Sequence, residues 1–142
     1  MKDTQIIMLG TGNAGVTRCY NTCFAIQTTE NVLLVDAGGG NGILVQLEKA
    51  GIAIERIHDM FVTHAHTDHI LGAVWVIRMV AQRMQSGKYT GVFRVYGHDK
   101  VLQVLDWICR MTLPKKIVQY LGNGIELCEV KDGEIFKAGE LK

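Results

Sequence analysis

The sequence lacks the features that are typical of membrane, secreted and nucleic-acid-coating proteins. No run of about 18 apolar residues is present, so a membrane span is not expected. The N-terminal stretch MKDTQIIMLG has no long apolar core before a cleavage site, so no signal peptide is predicted. A net charge of +1 gives no broad electrostatic footprint for nucleic acid. We therefore expect a cytoplasmic protein with no membrane partner.

Proline and closely spaced cysteines are also scarce. One proline against sixteen glycines indicates tight turns rather than a proline-rich linker. The four cysteines are Cys19, Cys23, Cys109 and Cys128, and their only close pair has C-x3-C spacing rather than the C-x2-C spacing of zinc knuckles. The sequence therefore predicts reduced thiols, not a disulfide framework or a cysteine metal site.

Apolar and turn-forming residues are arranged as alternating strands and helices. At 142 residues and 48% hydrophobic content, the length suits one domain or part of a larger one. Asp132-Gly133 predicts a hairpin between the last two strands. The whole pattern predicts an α/β fold. The predicted strands are 4–9, 22–28, 31–37, 59–63, 91–97, 124–130 and 134–139, and the predicted helices are 42–51, 68–85, 99–111 and a short one after Pro114.

The stretch FVTHAHTDHI, residues 61–70, contains three of the five histidines in the chain. His64 and His66 are two positions apart, so in an extended segment their side chains point the same way. Asp68 and His69 follow where a helix is predicted to begin. Imidazole and carboxylate groups are suitable ligands for zinc, manganese or iron. The alternative is that Asp68 or Thr67 only caps that helix, but the density of the cluster favours metal binding.

Several segments resemble the metallo-β-lactamase superfamily. HAHTDH matches its H-x-H-x-D-H signature. IIMLGTGNAG resembles the opening of the ribonuclease Z branch, NVLLVDAGGG resembles the strand that carries an aspartate and glycine in the superfamily, and HILG also resembles ribonuclease Z. The resemblance covers about residues 4–100, with the segments in the same order.

The resemblance implies half of an αββα sandwich, a mixed sheet with helices on one face. Residues 1–142 would be the N-terminal portion of such a domain, with the C-terminal half absent. His64 and His66 would ligate one zinc ion, and Asp68 and His69 a second; manganese or iron are alternatives. Asp68 would also act in catalysis as a proton acceptor or donor. Asp36 would orient the site by hydrogen bonding, unless it is only a turn residue at the end of a strand.

Neither pair of ligands completes a catalytic zinc site, which normally has three protein ligands and a water. Of the remaining histidines, His98 follows a predicted strand and precedes a helix, where ligand sites of α/β folds often lie; a surface position is its alternative. His58 lies just before a predicted strand. Because the second half of the fold is expected to be absent, one sheet face should stay apolar and exposed. We therefore expect a homodimer through that face.

Three functions remain open on the sequence alone. The resemblance implies a zinc phosphodiesterase of ribonuclease Z-like type, acting on a small-molecule or RNA phosphodiester, with this chain alone incomplete and inactive. A second possibility is a metallo-hydrolase of thioesters, lactones or lactams. A third, of another class, is a non-catalytic folded module that associates with itself or a partner.

Overall fold

The computed structural model of the protein describes residues 3–142. Its secondary structure alternates between strands and helices along most of the chain, as predicted from the sequence. The strands are β1 (Gln5–Gly10), β2 (Cys23–Gln27), β3 (Val32–Val35), β4 (Ile57–Phe61), β5 (Phe93–Gly97) and β6 (Ile125–Glu129). The helices are α1 (Gly42–Lys49), α2 (Thr67–Gln85), α3 (Asp99–Thr112) and α4 (Lys115–Val118), with a 3-10 turn at Ile54–Arg56.

The six strands form one mixed sheet in the order β1-β2-β3-β4-β5-β6. The first three strands are antiparallel neighbours, whereas β3, β4, β5 and β6 run parallel. The carboxyl ends of β3, β4 and β5 therefore lie along one edge of the sheet. Helices α2 and α3 begin at that edge. The expected α/β fold, a mixed sheet with helices on one face, is confirmed.

All four helices pack on the same face of the sheet. Strand β3 shows the division clearly, since Val32 and Leu34 belong to the core beneath the helices and Leu33 and Val35 belong to a second cluster on the opposite face. The helix side of the main core is formed mainly by α2, whose buried residues are Ile70, Gly72, Ala73, Val74, Val76, Ile77, Val80 and Ala81. No helix within residues 3–142 is both long and apolar enough to cross a membrane.

Two sequence predictions about strands are wrong. Strand β4 covers Ile57–Phe61 rather than 59–63, so His58 lies inside the strand. The ladder ends early because the Thr63 backbone N–H donates to the Asp36 side chain, 2.8 Å away, instead of to a neighbouring strand. The predicted hairpin strand at 134–139 is absent from the described sheet. Asp132-Gly133 does form a turn, closed by a 3.0 Å hydrogen bond from Glu134 N to Lys131 O.

After that turn the chain crosses the second face of the sheet instead of pairing with β6. The Phe136 ring stacks on Tyr96, with ring centroids 4.6 Å apart, and on Phe61 at 5.9 Å. Burial of these aromatic surfaces outweighs pairing beside an edge strand. The expected exposed face is therefore covered in part by residues 134–141, whereas Ile6 and Met8 of β1 remain 67% and 53% exposed. The homodimer through this face stays a prediction.

Candidate metal centre

The histidine cluster lies at the carboxyl ends of β3 and β4. These strands are parallel, with Val35 paired to Phe61, so the segments that follow them leave the sheet side by side. The Asp36 N–H donates to Phe61 O at 2.8 Å, which fixes the two strand ends together. Crevices at the carboxyl ends of parallel strands are the usual ligand sites of open α/β sheets. The sequence of this region thus brings residue 36 and residues 63–69 to one place.

Asp36 is a buried carboxylate that accepts three hydrogen bonds. Its oxygens accept from Thr63 N at 2.8 Å, Thr63 Oγ1 at 2.8 Å and His69 Nδ1 at 2.8 Å. Asp36 also has a backbone φ of 56°, the only positive value for a non-glycine residue among residues 3–142. Strain of this kind persists only where the surroundings hold the residue firmly. Asp36 is therefore a fixed acceptor beneath the histidines and not merely a turn residue.

The hydrogen bonds determine which nitrogens of His64 and His69 carry protons. Thr63 Oγ1 lies 2.8 Å from both Asp36 Oδ2 and His64 Nδ1. A hydroxyl has one proton, and the Asp36 carboxylate can only accept, so Thr63 donates to Asp36 and accepts from His64 Nδ1–H. His69 Nδ1–H likewise donates to Asp36. In the neutral imidazoles the lone pair is therefore on Nε2, the atom then free to bind a metal.

The four predicted ligands lie together at the start of α2. The His64 ring centroid is 4.5 Å from that of His66 and 4.2 Å from that of His69. Asp68 Oδ2 lies 3.3 Å from His69 Nε2. If His69 is neutral, its Nε2 lone pair faces the Asp68 carboxylate oxygen, and these two electron-rich atoms repel each other. A proton or a cation between Nε2 and Oδ2 makes the contact favourable. The chemistry of these donors fits zinc, manganese or iron.

The donor set is incomplete within the described chain. No group of three or more histidine, cysteine, aspartate or glutamate side chains in residues 3–142 is arranged to hold a metal ion. The capping alternative is nevertheless wrong, because α2 begins at Thr67 with His66 at the N-cap position and no side-chain capping hydrogen bond. His64, His66, Asp68 and His69 are thus of a type that fits a metal centre, and their role as ligands stays a prediction.

The two remaining histidines lie apart from this cluster. His98 is at the N-cap position of α3, with Nδ1 3.6 Å from Asp99 Oδ1. It lines an open groove of 360 Å³ together with Thr63, so it is near the centre without a described contact to it, and its role stays a prediction. His58 Nδ1 is 3.0 Å from the Tyr89 hydroxyl, within the structure of β4 and its neighbours.

The glycine-rich loop at residues 10–15 is joined to the centre by Asn21. The Asn21 side chain donates to Asn13 O at 2.9 Å and accepts from Gly39 N at 3.1 Å. A Cβ at Gly39 would lie 3.7 Å from the Asp68 Cα and only 2.9 Å from Asn21 Oδ1. Neither Asn21 nor Thr63 is among the site residues predicted from the sequence, since asparagine in a turn and threonine after a strand are common. The one available signal for Thr63 was its position after a strand parallel to the strand before Asp36.

Known proteins resemble most of the chain. Residues 4–139 match the family model described as anti-Pycsar protein Apyc1. Ribonuclease Z of Pyrococcus abyssi is 32% identical over 102 residues, which are 71% of this chain and 31% of that protein. Anti-Pycsar protein Apyc1 of Bacillus phage BSP38 is 39% identical over 70 residues, 49% of this chain and 27% of that protein.

A solved structure supports the fold. The metallo-β-lactamase fold protein YhfI from Bacillus subtilis superposes with a TM-score of 0.71 at 17% identity, over 96% of this chain and 50% of that one. At this identity the likeness shows the fold alone. The chain thus spans about a third of the length of the curated relatives it matches, and about half the length of this structural neighbour.

Proposed function

The chain belongs to the anti-Pycsar protein Apyc1 family of ribonuclease Z-like, metallo-β-lactamase-fold proteins, and on that premise we propose that the whole protein is a metal-dependent phosphodiesterase. The observation that carries the proposal is the Asp36–Thr63 hydrogen-bond arrangement, which engages Nδ1 of His64 and His69 and leaves Nε2 as the metal-binding nitrogen, on rings 4.2 Å apart. Asp68 Oδ2 lies 3.3 Å from His69 Nε2, where it can share a cation. The name ribonuclease Z, shared by several relatives, supports a phosphodiester as the substrate.

In this proposal each residue of the cluster has a defined task. His64 and His66 hold one zinc ion, and Asp68 and His69 hold a second, with the missing ligands supplied from outside the described residues. When bound, the zinc ions lower the pKa of a bound water to about 7 and neutralise charge on the phosphate. Manganese or iron would suit the same imidazole and carboxylate donors.

Asp36 and Asp68 handle protons differently. Asp36 is buried and accepts three hydrogen bonds, one of them from His69 Nδ1–H. It therefore orients the His69 ring and takes no part in proton transfer during the reaction. The Asp68 side chain is 18% exposed, with Oδ2 beside His69 Nε2. Its carboxylate can therefore take up a proton from the attacking water and return it to the leaving oxygen, as a general acid–base group does.

Substrate assays on the whole, zinc-loaded protein test the proposal. The assay set contains bis(p-nitrophenyl) phosphate, a structured RNA and a 3′,5′-cyclic nucleotide, together with a thioester, a lactone and a lactam. We expect turnover of at least one phosphodiester, and a loss of about 100-fold or more in His66→Ala, because a metal ligand is removed. Activity on the thioester, lactone or lactam alone would refute the phosphodiesterase and favour the second metallo-hydrolase class.

A non-catalytic module is the second candidate, and the incomplete donor set within residues 3–142 favours it for this chain by itself. The same assays distinguish it. A whole protein that retains zinc but turns over none of the six substrates would support a binding module and contradict the proposed hydrolase.

A further inference from the structure

The segment that follows Asp36 is held in place by one side chain, that of Tyr20. Its hydroxyl lies 2.7 Å from Ala37 O and 2.8 Å from Gly40 O, and it accepts from Gly40 N at 3.3 Å. The single hydroxyl proton is shared between two carbonyl oxygens. These contacts fasten residues 37–40, the loop between the strained Asp36 and helix α1.

Glycine makes room for the Tyr20 ring at two positions, one in this loop and one at the start of α1. A Cβ at Gly38, which has a φ of +72°, would lie 2.2 Å from Tyr20 Cε2, and a Cβ at Gly42 would lie 2.6 Å from Cε1. No side chain could be accommodated at those distances without movement. The chain from Gly38 to Gly42 is therefore shaped around this ring.

Tyr20 is itself anchored to the other glycine-rich loop. Its carbonyl accepts from Thr11 N at 3.1 Å and Gly12 N at 2.9 Å. Burial raises the pKa of the Tyr20 hydroxyl above its usual range, so the hydroxyl stays a proton donor throughout the physiological pH range. Tyr20 thus connects residues 10–12 to residues 37–40.

The 37–40 segment contacts the start of α2, where the predicted ligands lie. Ala37 N donates to His69 O at 3.2 Å, and Gly72 N donates to Gly38 O at 2.9 Å. A shift of residues 37–40 would therefore move both Asp36 and the first turn of α2. Loss of the Tyr20 hydroxyl would loosen the hydrogen bond between Asp36 and His69 Nδ1 without removing any ligand.

We propose that Tyr20 is a positioning residue for the metal centre, acting through residues 37–40 to hold Asp36 against His69. The inference rests on the metal-binding part of the proposed function, but not on the phosphodiester substrate. The effect should be smaller than the loss of 10–100-fold in metal affinity that is typical when a partner of a ligand is removed, because Tyr20 acts one contact further away.

The test compares Tyr20→Phe with Tyr89→Phe in the whole protein. Tyr89 is a matched control, since its buried hydroxyl donates to Ile57 O at 2.7 Å and contacts His58, outside the cluster. Three quantities are measured for each variant: zinc affinity by competition with a chromogenic chelator, thermal stability, and the His69 Nδ1–H proton resonance of the metal-free protein. None of them depends on turnover of a substrate.

We expect Tyr20→Phe to weaken zinc binding by roughly 3–10-fold and to shift the His69 resonance or speed its exchange with water. Tyr89→Phe should lower thermal stability and leave both other quantities unchanged. Equal zinc affinity and an unchanged His69 resonance in Tyr20→Phe would overturn the proposal, as would equal losses in both variants. If the protein binds no zinc, the metal-binding premise fails, and an unchanged His69 resonance in Tyr20→Phe would separately show that Tyr20 does not hold Asp36 against His69.

Discussion

Asp36 and Asp59 are two buried carboxylates with different surroundings. Asp36 accepts hydrogen bonds from Thr63 and His69, beside the candidate centre. Asp59 accepts from Asn31 Nδ2 at 2.6 Å and from the Tyr96 hydroxyl at 3.1 Å, in the middle of β4. Both are at least nine-tenths buried, so the pair separates the consequences of burial from those of contact with the histidines.

Replacing Asp36 with Asn should weaken metal binding. An amide has a single carbonyl oxygen in place of the two carboxylate oxygens that now accept three hydrogen bonds, and it carries no charge to favour His69 Nδ1–H. We expect zinc affinity to fall by roughly 10–100-fold, as measured by chelator competition. Asp59→Asn should lower stability and leave affinity unchanged. Equal affinities for Asp36→Asn and wild type would show that Asp36 does not orient His69.

Exposed Cys19 should react faster with thiol reagents than the two buried cysteines, Cys23 and Cys109. Cys19 is exposed, whereas Cys23 and Cys109 are buried, and burial raises the pKa of each buried thiol from 9.0 to about 12. At pH 8, Cys19 should react rapidly with Ellman's reagent, and Cys19→Ser should abolish that phase. Rapid labelling of Cys109 in the folded protein would be the contrary result.

The buried thiols should also make the free energy of unfolding depend on pH. Because the pKa of Cys23 and Cys109 is higher in the folded than in the unfolded protein, their contribution to this free energy is complete below pH 9 and is lost between about pH 9 and 12.

Residue type alone pointed to the candidate ligands but not to the side chains that hydrogen-bond them. Three histidines and an aspartate in six positions are enough to indicate metal chemistry. The Thr63 hydroxyl could not be assigned a role in this way, since its partner Asp36 is 27 residues away. The Tyr20 contacts likewise depend on how two glycine-rich loops fold against each other. Such contacts follow from tertiary packing, which local patterns do not contain.

Helix α2 approaches the β3–α1 loop unusually closely at Gly72. A Cβ at this position would lie 1.8 Å from Ala37 O and 2.6 Å from Ala37 C, both backbone atoms that cannot rotate away. The glycine therefore sets the distance between α2 and the segment that follows Asp36. In an ordinary helix, Ala in place of Gly would stabilise by roughly 1 kcal/mol, so the two effects oppose each other here.

Gly72→Ala should be destabilising despite the gain in helix propensity. We expect a net loss of about 1–3 kcal/mol in the free energy of unfolding, the range typical of overpacked sites, measured by urea denaturation. Gly15→Ala is the control, because nothing lies within 4 Å of a Cβ at that position. If Gly72→Ala were as stable as wild type or more so, the close approach of α2 to Ala37 would be incorrect.

At the level of elements, strong local periodicity predicted β1, β2, β3 and helices α1 to α3 nearly to their ends. The predicted element bounds are wrong where contacts with side chains elsewhere in the chain determine the backbone structure. Strand β4 ends at Phe61 because the Thr63 N–H is taken by Asp36. The segment 134–139 has a turn signal and apolar alternation, but Phe136 packs on Tyr96 and Phe61 instead of forming a strand. The sequence pattern is compatible both with a strand and with packing of the apolar side chains on the sheet face, and it does not show which of the two is more stable.

Across the whole molecule, the two faces of the sheet are covered unequally. Within residues 3–142, four helices cover one face, and the chain from Val130 to Leu141 packs on part of the other. The row Met8, Phe24, Val35 and Phe61 crosses this second face through paired positions on four strands. An open groove of 660 Å³ lies along part of it, lined chiefly by apolar residues. Exposed apolar surface of this extent favours association.

The chain of residues 1–142 should therefore self-associate through this face. Sedimentation over a range of concentrations should show a monomer–dimer equilibrium, which Met8→Lys should shift towards monomer because it places a charge on the apolar row. Val45→Lys is the matched control, since Val45 on α1 is 49% exposed and Met8 is 53% exposed. A compact monomer at every concentration, or an equal response to both substitutions, would contradict association through the second face.

We propose that residues 64–69 hold metal in the whole protein, and the metal content of the purified protein tests this proposal. The protein and its His66→Ala variant are purified in parallel, dialysed against metal-free buffer and analysed by inductively coupled plasma mass spectrometry, with circular dichroism to verify folding. We expect tightly held zinc, manganese or iron in the wild type and a clear loss of metal in folded His66→Ala. Equal metal content in the two proteins, or none in the wild type, would contradict it.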